Sequence, residues 1–508
     1  MLDSLIAGLR PGDDRPALAG RATRGELARL VSGFAVALHA RGLVPGDTIG
    51  LAVRPGPRSL AALLAAYHLG LRIAVLDPAA GPDVLRARLA LAAPRLILAD
   101  AAAQAVAGWA APLARRSHLA LPALSSLGEV VTVGRRLPFA PPALRPLPGP
   151  LPHAFDGDGD AVIVFTSGTT SRPRAVVHTR RSLSAGMAAV RDLVRPVPGV
   201  PVLGGTFFVL LPSLAAGAPV ALPSRRDLAR QVRSLSPQAT YLTPPQLRAA
   251  LAAGVRFTGR VYSGSAPVSA ALLAAVRAAG ASEAWGVYAL TEVFPAAAVS
   301  SSEKSAFTGA GDLVGSLLAG VTASTDPDGQ LLLAGPMAAD RYLGSAPFSQ
   351  VEPYSREEPL APVAPLSREE PFSPAEPLSR VAAFSRVATG DLGRVVDGRV
   401  ILGGRLKDMI LRRAENIYPG LYEPSLHVAG VELALLVGVP AGDGDEQVVA
   451  VIQPAAGADP TAVRAALRDP LSRMGAARPD RVVFAEIPLS GRSRKPDRRA
   501  AARLAATA

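Results

Sequence analysis

VFTSGTTSRPRAVVHT, from Val164 to Thr179, is the stretch from which the fold is read. A β-type run, Ala161 to Phe165, empties into six residues that are only Thr, Ser and Gly. Such a loop exposes backbone N–H groups and hydroxyls, and Gly168 lets the backbone come close to a bound group. Loops of this kind cradle phosphate oxygens. The pattern is not the G-x-x-x-x-G-K-S/T loop of P-loop nucleotide-binding proteins. Alone, the stretch reads more readily as a polar turn.

Outward from the loop, residues 24–130 alternate helical and strand-like patterns. RGELARLVSGFAVALHARGL carries apolar residues at helical spacing and stops at a glycine, GDTIGLAV reads as a strand and SLAALLAAYHLG as a helix. RIAVLDP and PRLILAD read as further strands. Alternation of this kind predicts an α/β fold with a largely parallel sheet. A Pro-rich connection covers 136–153, and the α/β pattern resumes from 160 to about 300. The uncharged stretch Gly204–Pro223, cut by Pro212, Gly217 and Pro219, reads as a buried strand, turn and strand. Residues 346–387 repeat SREEP at 355–359 and 367–371 among prolines and charges, which predicts a disordered insertion. GRVVDGRVILGGR then reads as a hairpin with a D-G turn. A smaller unit rich in short strands follows Arg405.

Composition narrows the chemistry. Of 508 residues, 49% are hydrophobic and 19% charged, enough for a large core in two or more domains. With no cysteine, disulfides, thiolate metal sites and cysteine nucleophiles are excluded. The six histidines show no pair at ligand spacing. The net charge of +13 is spread as arginine through Ala, Pro and Gly, with only 5% aromatics, so no nucleic-acid partner is expected. No signal peptide and no transmembrane segment are read, and a cytoplasmic protein is expected. Only three of 54 basic residues are lysine: Lys304, Lys407 and Lys495. A chain that writes arginine almost everywhere keeps lysine where a compact ammonium on a flexible stem is needed.

Taken together, the loop and six later segments in order resemble the adenylate-forming superfamily of acyl- and aryl-CoA synthetases, nonribosomal adenylation domains and luciferases. VFTSGTTSRPRAVVHT is similar to its T-S-G-S/T-T-G-x-P-K-G-V loop, and YSGSAPVS (262–269) to S-G-G-A-P. VYALTEV (287–293) resembles Y-G-x-T-E, and DGQLLLAGPMAADRYLG (328–344) resembles G-E-L-x-x-x-G-P-x-x-x-x-G-Y. ATGDLGRV (388–395) resembles T-G-D-L-G, and GRLKDMILRRAENIYPGLYE (404–423) the hinge segment that follows it. IPLSGRSRKPDRRA (487–500) resembles the terminal L-P-x-x-x-x-G-K-x-x-R.

The resemblance implies a large N-terminal domain, 1–404, of stacked α/β subdomains with a small β-barrel-like part. A small mobile α+β lid, 405–508, would follow. It implies ATP held by Thr166, Ser167, Gly168, Thr169, Thr170 and Arg174, with Mg²⁺ on Glu292. Thr291 would bond the α-phosphate. Tyr288 would stack on adenine, with the backbone of Gly264, Ser265 and Ala266 along the other face. Asp391 would accept from the ribose hydroxyls, and Arg405 would donate to ribose or phosphate. Lys407 would fall at the hinge. Lys495 would bridge the substrate carboxylate and the α-phosphate, offsetting the repulsion of two anions.

The implied reaction converts a carboxylic acid and ATP to an acyl-adenylate, followed by transfer to CoA. The apolar segments GGTFFVLLP, VYSGSA and AWGVYAL favour an aliphatic, fatty acid. Two alternatives stay open: a ligase that passes the acyl group to an acyl carrier protein or other acceptor, and an idle relative that only binds. Several positions depart from the pattern. Ser171, Arg174, Ala175 and Ala289 replace Gly, Lys, Gly and Gly, and Arg413-Ala414 replaces a Gly-Gly that lines the pantetheine route. Two expectations stand there: a Cβ that impedes CoA, or an Arg413 that faces a CoA or carrier phosphate; adenylation is the firmer half of the expectation.

Overall fold

A computed structural model describes residues 1–76, 82–101, 104, 124, 128–134, 140–166, 174–345, 386–412, 415–442, 445–490 and 494–508. Four of the expected loop residues, Ser167, Gly168, Thr169 and Thr170, lie outside the described residues, as do Arg413-Ala414 and the repeat segment up to residue 385. Val387, at the end of the expected insertion, is a buried strand residue paired with Leu333.

The chain is mixed α/β around two large sheets. In the first, Arg72–Val75, Thr48–Ala52, Leu96–Asp100 and Val130–Val133 run parallel. Asp160–Thr166 joins them in parallel beside Arg72–Val75 and turns back antiparallel into Arg174–Thr179. Every residue of Thr48–Ala52 is buried, as a strand covered on both faces requires. The helix Arg24–His39 starts in a capping box: Glu26 N–H donates to Thr23 Oγ1 and Thr23 N–H to Glu26 Oε2. The helix Pro57–His68 buries every residue from Ser59 to His68, the pattern of a helix surrounded by core.

The second sheet has 13 strands. Its parallel part is Pro16–Leu18, Val220–Ala221, Val202–Gly204, Ala239–Tyr241, Arg260–Ser263 and Glu283–Tyr288. Antiparallel strands extend it into the small barrel-like part, through the hairpin Val387–Val396 and Arg399–Arg405 to an edge at Thr322–Thr325. Its turn is the expected D-G pair: Asp397 and Gly398 both have positive φ, 49° and 72°, as a type I′ hairpin demands.

One element differs from expectation. Between the strands Val202–Gly204 and Val220–Ala221 lies a helix, Phe207–Ala215, rather than a turn. An unbroken apolar run has no period to separate helix from strand. The helix carries Pro212 within it and buries Leu210, Leu211 and Leu214 in the main core.

After Arg405 the strands pair only among themselves. Val431–Gly442 lies antiparallel to Asp445–Pro454, which runs parallel to Arg481–Phe484. The helices Pro460–Ser472 and Arg498–Thr507 cover this sheet. No helix among the described residues is long and apolar enough to cross a membrane.

Candidate active site

In an open parallel sheet, ligands bind beyond the carboxyl ends of the strands. Here those ends lead into Gly205-Thr206, Leu242-Thr243, Gly264-Ser265 and Ala289-Leu290, and all of these line one cleft of about 3880 Å³. Its far wall comes from the C-terminal part, at Leu406–Asp408 and 494–499.

Thr291 and Glu292 sit in the turn that follows Glu283–Tyr288. Their backbone is pinned on two sides. His178 Nε2–H donates to Thr291 O at 2.7 Å, and Ala339 N–H donates to Glu292 O at 2.7 Å. His178 is 1% exposed, with Nδ1 3.3 Å from the Ser182 hydroxyl, and burial holds its imidazole below the usual histidine range. It is therefore a neutral donor. The Glu292 carboxylate accepts from the Tyr342 hydroxyl at 2.9 Å. Burial, then the Glu292 charge, pushes the Tyr342 phenol far up, so it stays protonated. Arg174 lies over the Tyr342 ring, 5.4 Å from its centre. Thr166 and Arg174 are register partners, so both stand at the base of the Thr/Ser/Gly loop.

Ser265 has φ +68°, a left-handed backbone that glycine adopts without cost. Its hydroxyl is 2.9 Å from the Tyr241 hydroxyl. Gly264 passes so close to the next strand that a Cβ would meet Val287 O at 2.8 Å. Ala266 is half-buried beside them.

Asp391 and Arg405 are register partners in the hairpin. Asp391 is 2% exposed. The Tyr288 hydroxyl donates to its Oδ2 at 2.7 Å, and Arg405 Nε lies 2.8 Å from Oδ1. The Arg405 approach is an ion pair without hydrogen-bond alignment, so Oδ1 has no aligned donor among the described residues. The Tyr288 ring packs on the barrel cluster that includes Val293 and Ala296, while Val287 and Ala289 line the cleft at that level.

Lys495 stands on a short hairpin, opposite Ser490, and lines the cleft with Lys407. Desolvation, then repulsion by Arg405 and Lys407, holds the Lys495 ammonium below the usual lysine range, and Asp391 and Glu292 act in the opposite sense. Desolvation and Arg405 lower Lys407 likewise. One cleft thus joins Thr166, Arg174, Gly264, Ser265, Thr291, Glu292, Arg405, Lys407 and Lys495. The third lysine is elsewhere: Lys304 is buried, with Nζ 2.6 Å from Asp312 Oδ1 and 2.8 Å from Leu313 O.

Sequence reading missed three residues of this cleft: His178, Tyr241 and Tyr342. His178 and Tyr342 lie inside quoted segments, and only their contacts set them apart.

The donor set can be tested against a magnesium nucleotide. No group of three His, Cys, Asp or Glu that could hold a metal occurs among the described residues. Magnesium keeps water and phosphate ligands and takes one or two carboxylates, so the single Glu292 fits it. Asp391, Tyr288 and Ala266 do not themselves line the cleft; the buried Asp391 Oδ1 lacks an aligned donor beside Arg405, and a ribose hydroxyl would have to take that place.

The family model for AMP-binding enzymes matches residues 8–343. The chain belongs to the AMP-binding enzyme family. It thereby joins the adenylate-forming superfamily that its motifs resemble. Among curated relatives of this AMP-binding enzyme, an olefin beta-lactone synthetase from Stenotrophomonas maltophilia is 27% identical over 488 residues, covering 86% of this chain and 82% of that protein. A feruloyl-CoA synthase from Amycolatopsis sp is 28% identical over 463 residues, 86% of this chain and 84% of that one. In fold, it is similar to the amide bond synthetase McbA from Marinactinospora thermotolerans, with TM-score 0.75 and 24% identity over 99% of this chain and 98% of that one.

Proposed function

We propose that this AMP-binding enzyme activates a hydrophobic, fatty carboxylic acid with ATP, forming an acyl-adenylate and pyrophosphate, and then passes the acyl group to CoA. The observation that carries the reading is the meeting of Lys495 with Glu292 and Arg405 in one cleft.

Attack of a carboxylate on the α-phosphate brings two anions together. The Lys495 ammonium offsets that repulsion. At roughly 4 Å and an effective dielectric of about 20, one such contact contributes about 4 kcal/mol before desolvation, or about a thousandfold in rate. Glu292 would hold Mg²⁺, which when bound supplies positive charge to the ATP phosphates. Thr291 bonds the α-phosphate, and Arg174 with the loop Thr166–Thr170 takes the outer phosphates. Asp391 accepts from the ribose. Tyr288 stacks on the adenine, with the backbone of 264–266 along the other face, while its hydroxyl bonds Asp391. Lys407 lies at the hinge on which the C-terminal part turns between the two steps. Phe208, Val209, Leu193 and Phe294 give the acyl group an apolar wall.

A second reading is supported by the olefin beta-lactone synthetase relative. The acceptor is then a hydroxyl of the acyl group itself: its oxygen bonds to the activated carbonyl carbon, AMP leaves, and the hydroxyl proton passes to solvent. A carrier-protein thiol is the remaining acceptor.

Carboxylate-dependent exchange of labelled pyrophosphate into ATP tests the first step, and silence with every acid would overturn it. Products analysed with and without CoA separate thioester from lactone. Lys495→Ala should abolish most adenylate formation while sparing consumption of supplied acyl-AMP; equal loss of both would remove its assigned role.

A further inference from the structure

Beside the apolar wall of Leu193, Phe208, Val209 and Phe294, the cleft carries a pair of hydroxyls bonded to each other. Tyr241 sits in a cluster with Val190, Val194, Val209 and Tyr262. Tyr262 spends its hydroxyl on Leu193 O at 3.1 Å. The Tyr241 hydroxyl instead meets the Ser265 hydroxyl at 2.9 Å, where both line the cleft. Ser265 holds this position on a left-handed backbone, φ +68°. Ser265 thus presents its hydroxyl to the cleft although glycine would relieve the backbone.

Resting on the adenylation reading, we infer that Tyr241 and Ser265 form a specificity pair that recognises a hydroxyl carried by the substrate acid near its carboxylate. The hydrogen-bond count selects that group. Two hydroxyls bring two O–H donors, and the bond between them uses one. One donor and free lone pairs remain for the ligand. A substrate hydroxyl, itself donor and acceptor, satisfies both, whereas a methylene satisfies neither. Burial keeps the Tyr241 phenol above its ordinary range, so the pair stays neutral and fully protonated.

Topology places the pair at the reacting end. Ser263 and Gly286 are register partners on adjacent parallel strands. Ser265 therefore leaves its strand level with Tyr288, three residues before Thr291 in the chain.

The test uses the whole chain and pyrophosphate exchange with three matched acids: decanoate, beta-hydroxydecanoate and omega-hydroxydecanoate. A site built to bond a hydroxyl discriminates against the analogue that lacks it. The beta-hydroxy acid should exceed both others in kcat/KM by about tenfold or more, and Tyr241→Phe should bring that ratio near one. Ser265→Gly, which removes the hydroxyl while relieving the backbone, should lower the ratio in the same direction. Equal kcat/KM for the beta-hydroxy and unsubstituted acids, or a ratio untouched by both variants, overturns the specificity pair and leaves adenylation standing. No exchange with any acid overturns both.

Discussion

The Tyr288 hydroxyl donates to Asp391 Oδ2 at 2.7 Å, joining residues 103 positions apart in the chain. Burial, then the Asp391 charge, raises the phenol well above its ordinary range, so it remains a donor at every working pH. Asp391 is buried with Arg405 as its other neighbour. Tyr288→Phe removes a charge-assisted bond and loosens the carboxylate. We expect KM for ATP to rise about tenfold while KM for the acid stays put. Steady-state kinetics with each substrate varied check this, and an unchanged KM for ATP would separate Asp391 from the nucleotide.

Tyr342 does for Glu292 what Tyr288 does for Asp391. Removing a partner that orients a metal ligand typically costs about ten- to a hundredfold in metal affinity. Tyr342→Phe should therefore raise the Mg²⁺ concentration for half-maximal exchange by about tenfold or more. A magnesium titration at saturating ATP and acid reads this, and an unshifted curve would mean that Glu292 is not the ligand.

Lys495 carries a pH dependence with a definite sign. Its role requires the charged ammonium, and its pKa in the free enzyme is lowered by desolvation and by Arg405 and Lys407. Activity should thus be full below that lowered pKa and fall as pH rises through it, earlier than for an ordinary lysine. The limb belongs to kcat/KM, which reports the free enzyme. Bound phosphates oppose the shift, so the matching limb in kcat should lie at higher pH. Identical limbs, or none in the wild type, would count against the assignment.

Lys304 predicts the reverse pattern, stability without catalysis. Its ammonium is 2.6 Å from Asp312 and 2.8 Å from Leu313 O, inside the fold and away from the cleft. Lys304→Met should cost about 1–3 kcal/mol, because Leu313 O loses a donor and Asp312, still partly solvated, loses its counter-ion. Chemical denaturation measures the loss, and kcat should hold at temperatures where the variant is folded.

Much of this was legible from residues in order. The alternation over 24–130 specifies parallel strands and covering helices because burial on one face leaves a period in the chain. The Asp397-Gly398 turn is written in its two residues, since few others accept positive φ in succession. Family resemblance located Glu292, Asp391 and Lys495 by motif. What it could not supply were partners across space. The Phe207–Ala215 helix has no period to betray it, because all of its sides are apolar.

Sequence alone determined the family, the order of the polar segments and the scarcity of lysine that singled out Lys495. Only tertiary structure decided that His178 grips the Thr291 carbonyl, that Tyr342 holds Glu292 and that Tyr241 meets Ser265. The reason is physical: periodicity and turn chemistry act between near neighbours in the chain. A hydrogen bond across a cleft depends on where two distant backbones are brought by the packing of everything between them.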